Sequence, residues 1–168
     1  MKRNIVYFLA VVCLLFSCKE MEMPTLKQGN LNDIKGVWKA ANREQTSDSW
    51  IQNDRGIWIA ERVVETDNTR EVEFQIDDVS KIIVRTKNTA GDVTGTQEFS
   101  DLKVSYNITS RDGLDDVHSI NFFNPNTPHL AATDFVGTYS FTKEGNTLIL
   151  QRTNQGHNRF WVYKAVKQ

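Results

Sequence analysis

The chain has 168 residues, 39% of them hydrophobic and 24% charged, with a formal net charge of -1. Four Trp, four Tyr and nine Phe supply bulky core material, which excludes a disordered chain and suits one folded domain. Near-neutral charge argues against a nucleic-acid or polybasic membrane surface, and no stretch reaches the ~18 apolar residues that a spanning helix needs.

The first element is an address. Lys2 and Arg3 form a basic start, and Ile5 to Phe16 are twelve apolar residues in a row, too short to span a bilayer and suited to a secretory signal. Leu15-Phe16-Ser17-Cys18 then resembles the lipobox of bacterial lipoproteins: an aliphatic residue, a small residue before the cut and a cysteine after it. The resemblance implies a signal peptide over 1–17 and a thioether-linked diacylglyceryl group on Cys18, whose freed amine is then acylated. Two or more acyl chains, at ~0.8 kcal/mol per buried CH2, anchor stably. Lys19 stands where inner-membrane lipoproteins often carry Asp, so the expected location is the outer membrane, facing the periplasm or the cell surface. Residues 18–30 read as the lipidated Cys and a flexible tether, and 31–168 as the folded domain. Cys13 leaves with the signal, so the mature domain holds no free thiol, which rules out a disulfide, a Cys nucleophile and a Cys-ligated zinc.

Beyond the tether, period-two alternation dominates. Leu31 to Lys35 suit one helical turn, and strands are predicted over 36–43, 56–66, 70–77, 80–87, 93–99, 101–110, 116–124, 136–142, 147–153 and 159–166. Val72, Phe74 and Ile76 alternate with Glu71, Glu73 and Gln75; Val104, Tyr106 and Ile108 alternate with Lys103, Ser105 and Asn107. One apolar and one wet face per run is the signature of an antiparallel sheet. Asp67-Asn68, Ala90-Gly91-Asp92, Arg111-Asp112-Gly113, Glu144-Gly145-Asn146 and Gln155-Gly156-His157 supply turn residues between runs. Thr127-Pro128 could open a short helix through Ala132. Phe122 and Phe123 are adjacent, so a regular strand buries only one of them.

Gly36-Val37-Trp38 stands at the start of the domain. Gly137-Thr138-Tyr139-Ser140-Phe141 and a closing strand with Arg159, Trp161 and Lys164 stand near its end. Together these resemble the lipocalin-like lipoproteins of bacteria with an outer membrane. The resemblance implies an all-β, lipocalin-like up-and-down antiparallel β-barrel of about 8–10 strands with a short N-terminal helical turn. It implies further that Gly36, Trp38 and Arg159 plug the closed end, with Arg159 or Lys164 over the Trp38 ring.

The search for chemistry is mostly negative. His118, His129 and His157 have no zinc spacing, and no nucleophile elbow, phosphate loop or dinucleotide fingerprint is present. Asp77-Asp78 and Asp115-Asp116 are neighbours that point to opposite faces of a strand, so neither forms an acid/base dyad. The reading is therefore a binding protein, not an enzyme, with no cofactor and no metal. Its expected ligand is a small apolar or amphipathic molecule lined by Trp50, Trp58, Phe74, Tyr106 and Tyr139, with Trp50 at the barrel mouth suited to ligand or sugar contact. The alternative is a protein-interaction module at the cell envelope.

Overall fold

The structure, a computed structural model, describes residues 23–126, 135–154 and 159–168. The expected signal peptide, Cys18, the start of the expected tether, the short helix expected at Thr127–Ala132 and the turn expected at Gln155-Gly156-His157 lie outside the described residues. The strands are β1 (Thr25–Gln28), β2 (Gly36–Ala40), β3 (Arg43–Gln52), β4 (Trp58–Asp67), β5 (Arg70–Ile76) and β6 (Ser80–Lys87). They continue with β7 (Val93–Ser110), β8 (Val117–Phe123), β9 (Thr138–Glu144), β10 (Thr147–Asn154) and β11 (Arg159–Lys167). A 3-10 turn, Leu31–Asp33, is capped by the Asn30 side chain.

Strands β2, β5, β6, β7, β8, β9, β10 and β11 follow one another in antiparallel pairs, and the β2–β11 and β10–β11 pairings close them into an eight-stranded barrel. The predicted alternation holds along them. Val72, Phe74 and Ile76 are buried while Glu73 and Gln75 are half-buried on the outer wall, and Phe122 is fully buried where Phe123 is exposed.

Three departures from the sequence reading have physical causes. Residues 25–28, read as tether, form β1 and pair with Asn107–Ser110 of β7. They can do so because β7 changes partner part-way: its first half pairs with β6 as far as Leu102, and its second half pairs with β8 from Lys103. That leaves the lower edge of β7 open for β1. The change of partner occurs at Asp101, whose φ of 55° makes a kink inside one long strand where two strands were expected. Finally, residues 43–52 form β3, a strand the alternation did not reveal. β2 with β3 and β5 with β4 make one long hairpin, bent at Ala41-Asn42 and at Asn68-Thr69, where Asn42 donates to Asn68 over 3.2 Å. Its near part belongs to the barrel. Past Ser47, the last residue paired to β11, its far part stands off as an arm.

The barrel interior is filled by rings. Phe74, Phe122, Tyr139 and Tyr163 are fully buried, with centroids 5.6–6.0 Å apart in mostly edge-to-face contacts. On the outer wall Glu71 accepts three cations: Lys39 at 3.0 Å, Arg85 at 3.0 Å and Lys87 at 2.7 Å. Burial pushes its carboxyl up, but hydrogen bonds from Lys87 and Lys39 outweigh burial and hold it down at about 2. A depressed carboxylate stabilises the fold above its ordinary titration range and loses that contribution as pH falls. Glu71→Gln is therefore expected to cost about 1–3 kcal/mol at neutral pH. The difference from the parent in urea melts should shrink as pH falls from 4.5 towards about 2. A gap that does not change with pH would remove the charge from the explanation.

Candidate functional site at the barrel ends

The two ends of the barrel differ. The 3-10 turn, the β9–β10 turn and the C-terminus gather at one end. Lys143 Nζ donates to the Asp33 carbonyl at 2.7 Å there, and the Lys167 and Gln168 amides donate to the Asn146 and Val37 carbonyls at 2.9 Å. Trp38 lies across this end with no exposed surface, and its indole N–H donates to the Ile34 carbonyl at 2.7 Å. The cation over its ring is Lys167, with Nζ 5.5 Å from the centroid. That corrects the expectation for Arg159 and Lys164. Arg159 pairs with Ser47 at the opposite end of β11, and Lys164 Nζ binds Glu44 at 2.7 Å. Gly36 has φ +136°, and a Cβ there would come 3.0 Å from Lys167 Cε, so glycine lets the lysine stem reach the ring.

The same device recurs near the other end. In Phe135-Val136-Gly137-Thr138-Tyr139, Gly137 has φ +143° and the Tyr139 hydroxyl donates to the Phe135 carbonyl four residues back. Arg152 lies 5.7 Å from the Tyr139 ring, and a Cβ on Gly137 would meet its guanidinium at 3.0 Å. Glycine, spacer and aromatic ring thus appear twice, each ring tied to the carbonyl four residues earlier and covered by a cation from a neighbouring strand. The sequence carries this repeat as G-V-W and G-T-Y.

Beyond the Tyr139 layer lies the hairpin-side end of the barrel. Arg43, only 9% exposed, stacks its guanidinium 3.8 Å from the Trp161 ring and 5.8 Å from that of Phe135. Phe99 stands 6.2 Å from Phe135 and extends the aromatic rim. Arg43 Nε donates to Asp67 at 2.8 Å. Burial raises the Asp67 carboxyl, but donors from Thr69 and Arg43 outweigh burial and hold it below the usual range. Two donors here, Arg43 Nη1 and Trp161 Nε1, are buried without a hydrogen-bond partner among the described residues. Each such group costs ~1–3 kcal/mol when left unsatisfied.

No family model, curated protein or solved structure matches the chain.

The five expected lining residues do not converge. Phe74 and Tyr139 meet at 5.8 Å inside the filled core. Tyr106 lies nearer the Trp38 end, where its hydroxyl is 2.7 Å from His118 Nδ1 and its ring 5.1 Å from Phe141. Trp50 and Trp58 stand on the arm, 65% and 62% exposed. Trp50 is opposite Ala60 and Trp58 opposite Gln52, which puts both indoles on one face, while Ile51 and Ile59 pair on the other. Outside the barrel wall, an open groove of about 400 Å³ is lined by Asp115, Asp116, His118, Phe141, Ser140 and Gln151. Among the described residues no group of three or more His, Cys, Asp or Glu is set to hold a metal. Sequence reasoning missed Arg43, because a guanidinium is invisible to an apolar period. The signal available was the polar break at Ala41-Asn42, a bend that shifts the inward positions from Trp38 and Ala40 to Arg43.

Proposed function

We propose that this chain is a lipid-anchored, lipocalin-like barrel of the outer membrane that binds a small amphipathic ligand without transforming it. The observation that carries the reading is the asymmetry of the ends: Trp38 stoppers one, while the other holds a buried guanidinium among Phe99, Phe135 and Trp161 with hydrogen-bonding capacity left over. The rings in contact at the centre favour shallow binding at that end over binding deep in the barrel. The anchor fits this arrangement. β1 joins the barrel at the Trp38 end, and the seven residue-to-residue steps from Cys18 to Thr25 reach at most about 25 Å. The membrane then lies on the stoppered side, and the mouth faces away from it.

Fluorescence tests the mouth. Of the four tryptophans, Trp38, Trp50, Trp58 and Trp161, only Trp161 borders it. Titrating dodecanol or dodecanoate should quench emission in a Trp50→Phe/Trp58→Phe variant as fully as in the parent, and quenching should vanish in Trp161→Phe. Quenching that follows Trp50 and Trp58 would move the binding to the arm. In cells, Cys18→Ser should shift the protein from the membrane to the soluble fraction, and continued membrane association would defeat the anchor.

A second reading, an envelope interaction module, is favoured by the arm. Trp50, Ile51, Ile57, Trp58 and Ile59 are all exposed there, an apolar tip on both faces of a free hairpin.

A further inference from the structure

We propose that the Trp38 end of the barrel is a membrane-contact face, on which Met23, Val79 and Leu114 dip into the bilayer that carries the acyl chains of Cys18. The inference rests on the anchor reading above and adds how the barrel sits on its bilayer. Among the described residues the exposed large apolar side chains form two groups, with Val93 and Phe123 apart from both. One group is the arm. The other is Met23, Leu26, Val79, Leu114, Val117 and Val166, and all six stand at the Trp38 end. Val79 tips the turn after β5, whose Ile76 pairs with Gly36. Leu114 tips the turn after β7, whose Ser110 pairs with Thr25. Leu26 and Val117 both pair with Thr109 and so share its outward row, and Val166 precedes Lys167, which pairs with Trp38.

The chain itself brings a bilayer to this face. Cys18 to Met23 is five residue-to-residue steps, at most about 18 Å. An acylated Cys18 therefore keeps this end near the lipid surface, where contacts too weak to bind alone act at high effective concentration. The form of the face selects lipid over protein. Val79, 67% exposed, follows Asp77 and Asp78; Leu114, 66% exposed, stands between Asp112 and the Asp115-Asp116 pair. Each apolar tip is an island among carboxylates, whereas a protein interface is built on a continuous apolar centre. Fluid lipid closes round separate tips while the charges stay at headgroup level. The tips are held ready. The Ser80 hydroxyl accepts the Asp77 N–H at 2.9 Å and donates to the Asp77 carbonyl at 2.8 Å, and the Leu114 amide donates to the Arg111 carbonyl at 3.2 Å. At these turns Asp77, Asp78, Asp112, Asp115 and Asp116 face only Lys35 and Arg111, so the attraction is apolar and gains nothing from anionic lipid.

On the anchor reading the mature chain has no thiol, so one introduced cysteine takes one label. Val79→Cys, Leu114→Cys, Ala90→Cys and Arg55→Cys, made in the membrane-derived full-length protein, are labelled with an environment-sensitive fluorophore and reconstituted in phosphatidylcholine vesicles carrying nitroxide lipids. Ala90 lies in the turn after β6 at the opposite end, and Arg55 at the tip of the arm. Labels at 79 and 114 are expected to shift to the blue and to be quenched several-fold more than those at 90 and 55. Adding Val79→Asp should cut quenching at 114 several-fold while the acyl chains keep the protein in the membrane fraction. Part replacement by phosphatidylglycerol should not raise the quenching. Equal quenching at all four positions, or quenching greatest at 55, overturns the contact face and leaves the anchor standing. A rise with phosphatidylglycerol overturns its apolar character. Shielding of 79 and 114 in whole envelopes but not in pure vesicles gives the face to a protein and overturns the lipid assignment. Label taken up by the parent shows a free thiol and sinks anchor and contact face together.

Discussion

Trp38→Ala is expected to cost about 3–5 kcal/mol of stability, whereas Trp50→Ala should stay within about 0.5 kcal/mol. The two residues are chemically identical and sit in opposite surroundings. Trp38 has no exposed surface, packs in register between Phe74 on β5 and Lys167 on β11, and ties its N–H to Ile34. Truncation would open a ring-sized void at the barrel end, orphan the Ile34 carbonyl and leave Lys167 with nothing beneath it. Trp50 is 65% exposed on the arm and loses little that water does not replace. For a domain of this size the Trp38 loss corresponds to a drop of roughly 10–20 °C in melting temperature. Calorimetry on both variants checks it, and melting shifts of the same size would show that Trp38 is not what closes this end.

The second large effect lies at the centre. Phe74 touches Phe122, Tyr139 and Tyr163 at 5.6–6.0 Å, so Phe74→Ala removes the ring that the other three share. The expected loss is again about 3–5 kcal/mol, because surrounding strands held by ladder hydrogen bonds relax only partly into the space. A void walled by apolar rings stays dry and accepts a small apolar guest. Benzene should therefore raise the melting temperature of Phe74→Ala and leave that of the parent unchanged. Stabilisation of the parent by benzene to the same degree would mean that the native barrel already holds a cavity, and the shallow-mouth reading would need replacing by a deep one. This variant thus separates a filled barrel from a hollow one independently of any natural ligand.

Strand existence was legible where one face is buried. The runs around Phe74, Tyr106, Tyr139 and Leu148 alternate because each strand has a core face; around Phe74, Tyr139 and Leu148 the observed strands begin and end within a few residues of the expected ones, while the Tyr106 run is fused with the strand before it into β7. β3 was not legible, because Arg43–Gln52 leaves the barrel after a few residues and most of it meets water on both faces, so no apolar period is selected. β1 was hidden for a related reason. Thr-Leu-Lys-Gln is exposed throughout and is a strand only because β7 has a free edge beside it. Of the expected ligand residues, Phe74 and Tyr139 were recognisable as inward-facing, but alternation says nothing about how far a barrel is filled.

Local chemistry was enough for the all-β class, the turns observed at Asp67-Asn68 and Glu144-Gly145-Asn146 and the Gly-x-aromatic pattern at Gly36 and Gly137, since each depends on neighbours within a few residues. Only the closed barrel decided that Lys167 and not Arg159 covers Trp38, that Arg43 stacks on Trp161, and that Trp50 and Trp58 stand out on an arm away from both. Those contacts join residues more than a hundred positions apart or depend on a bend that shifts strand parity. The register that sets them comes from strand stagger around the whole cylinder, a quantity no single segment encodes.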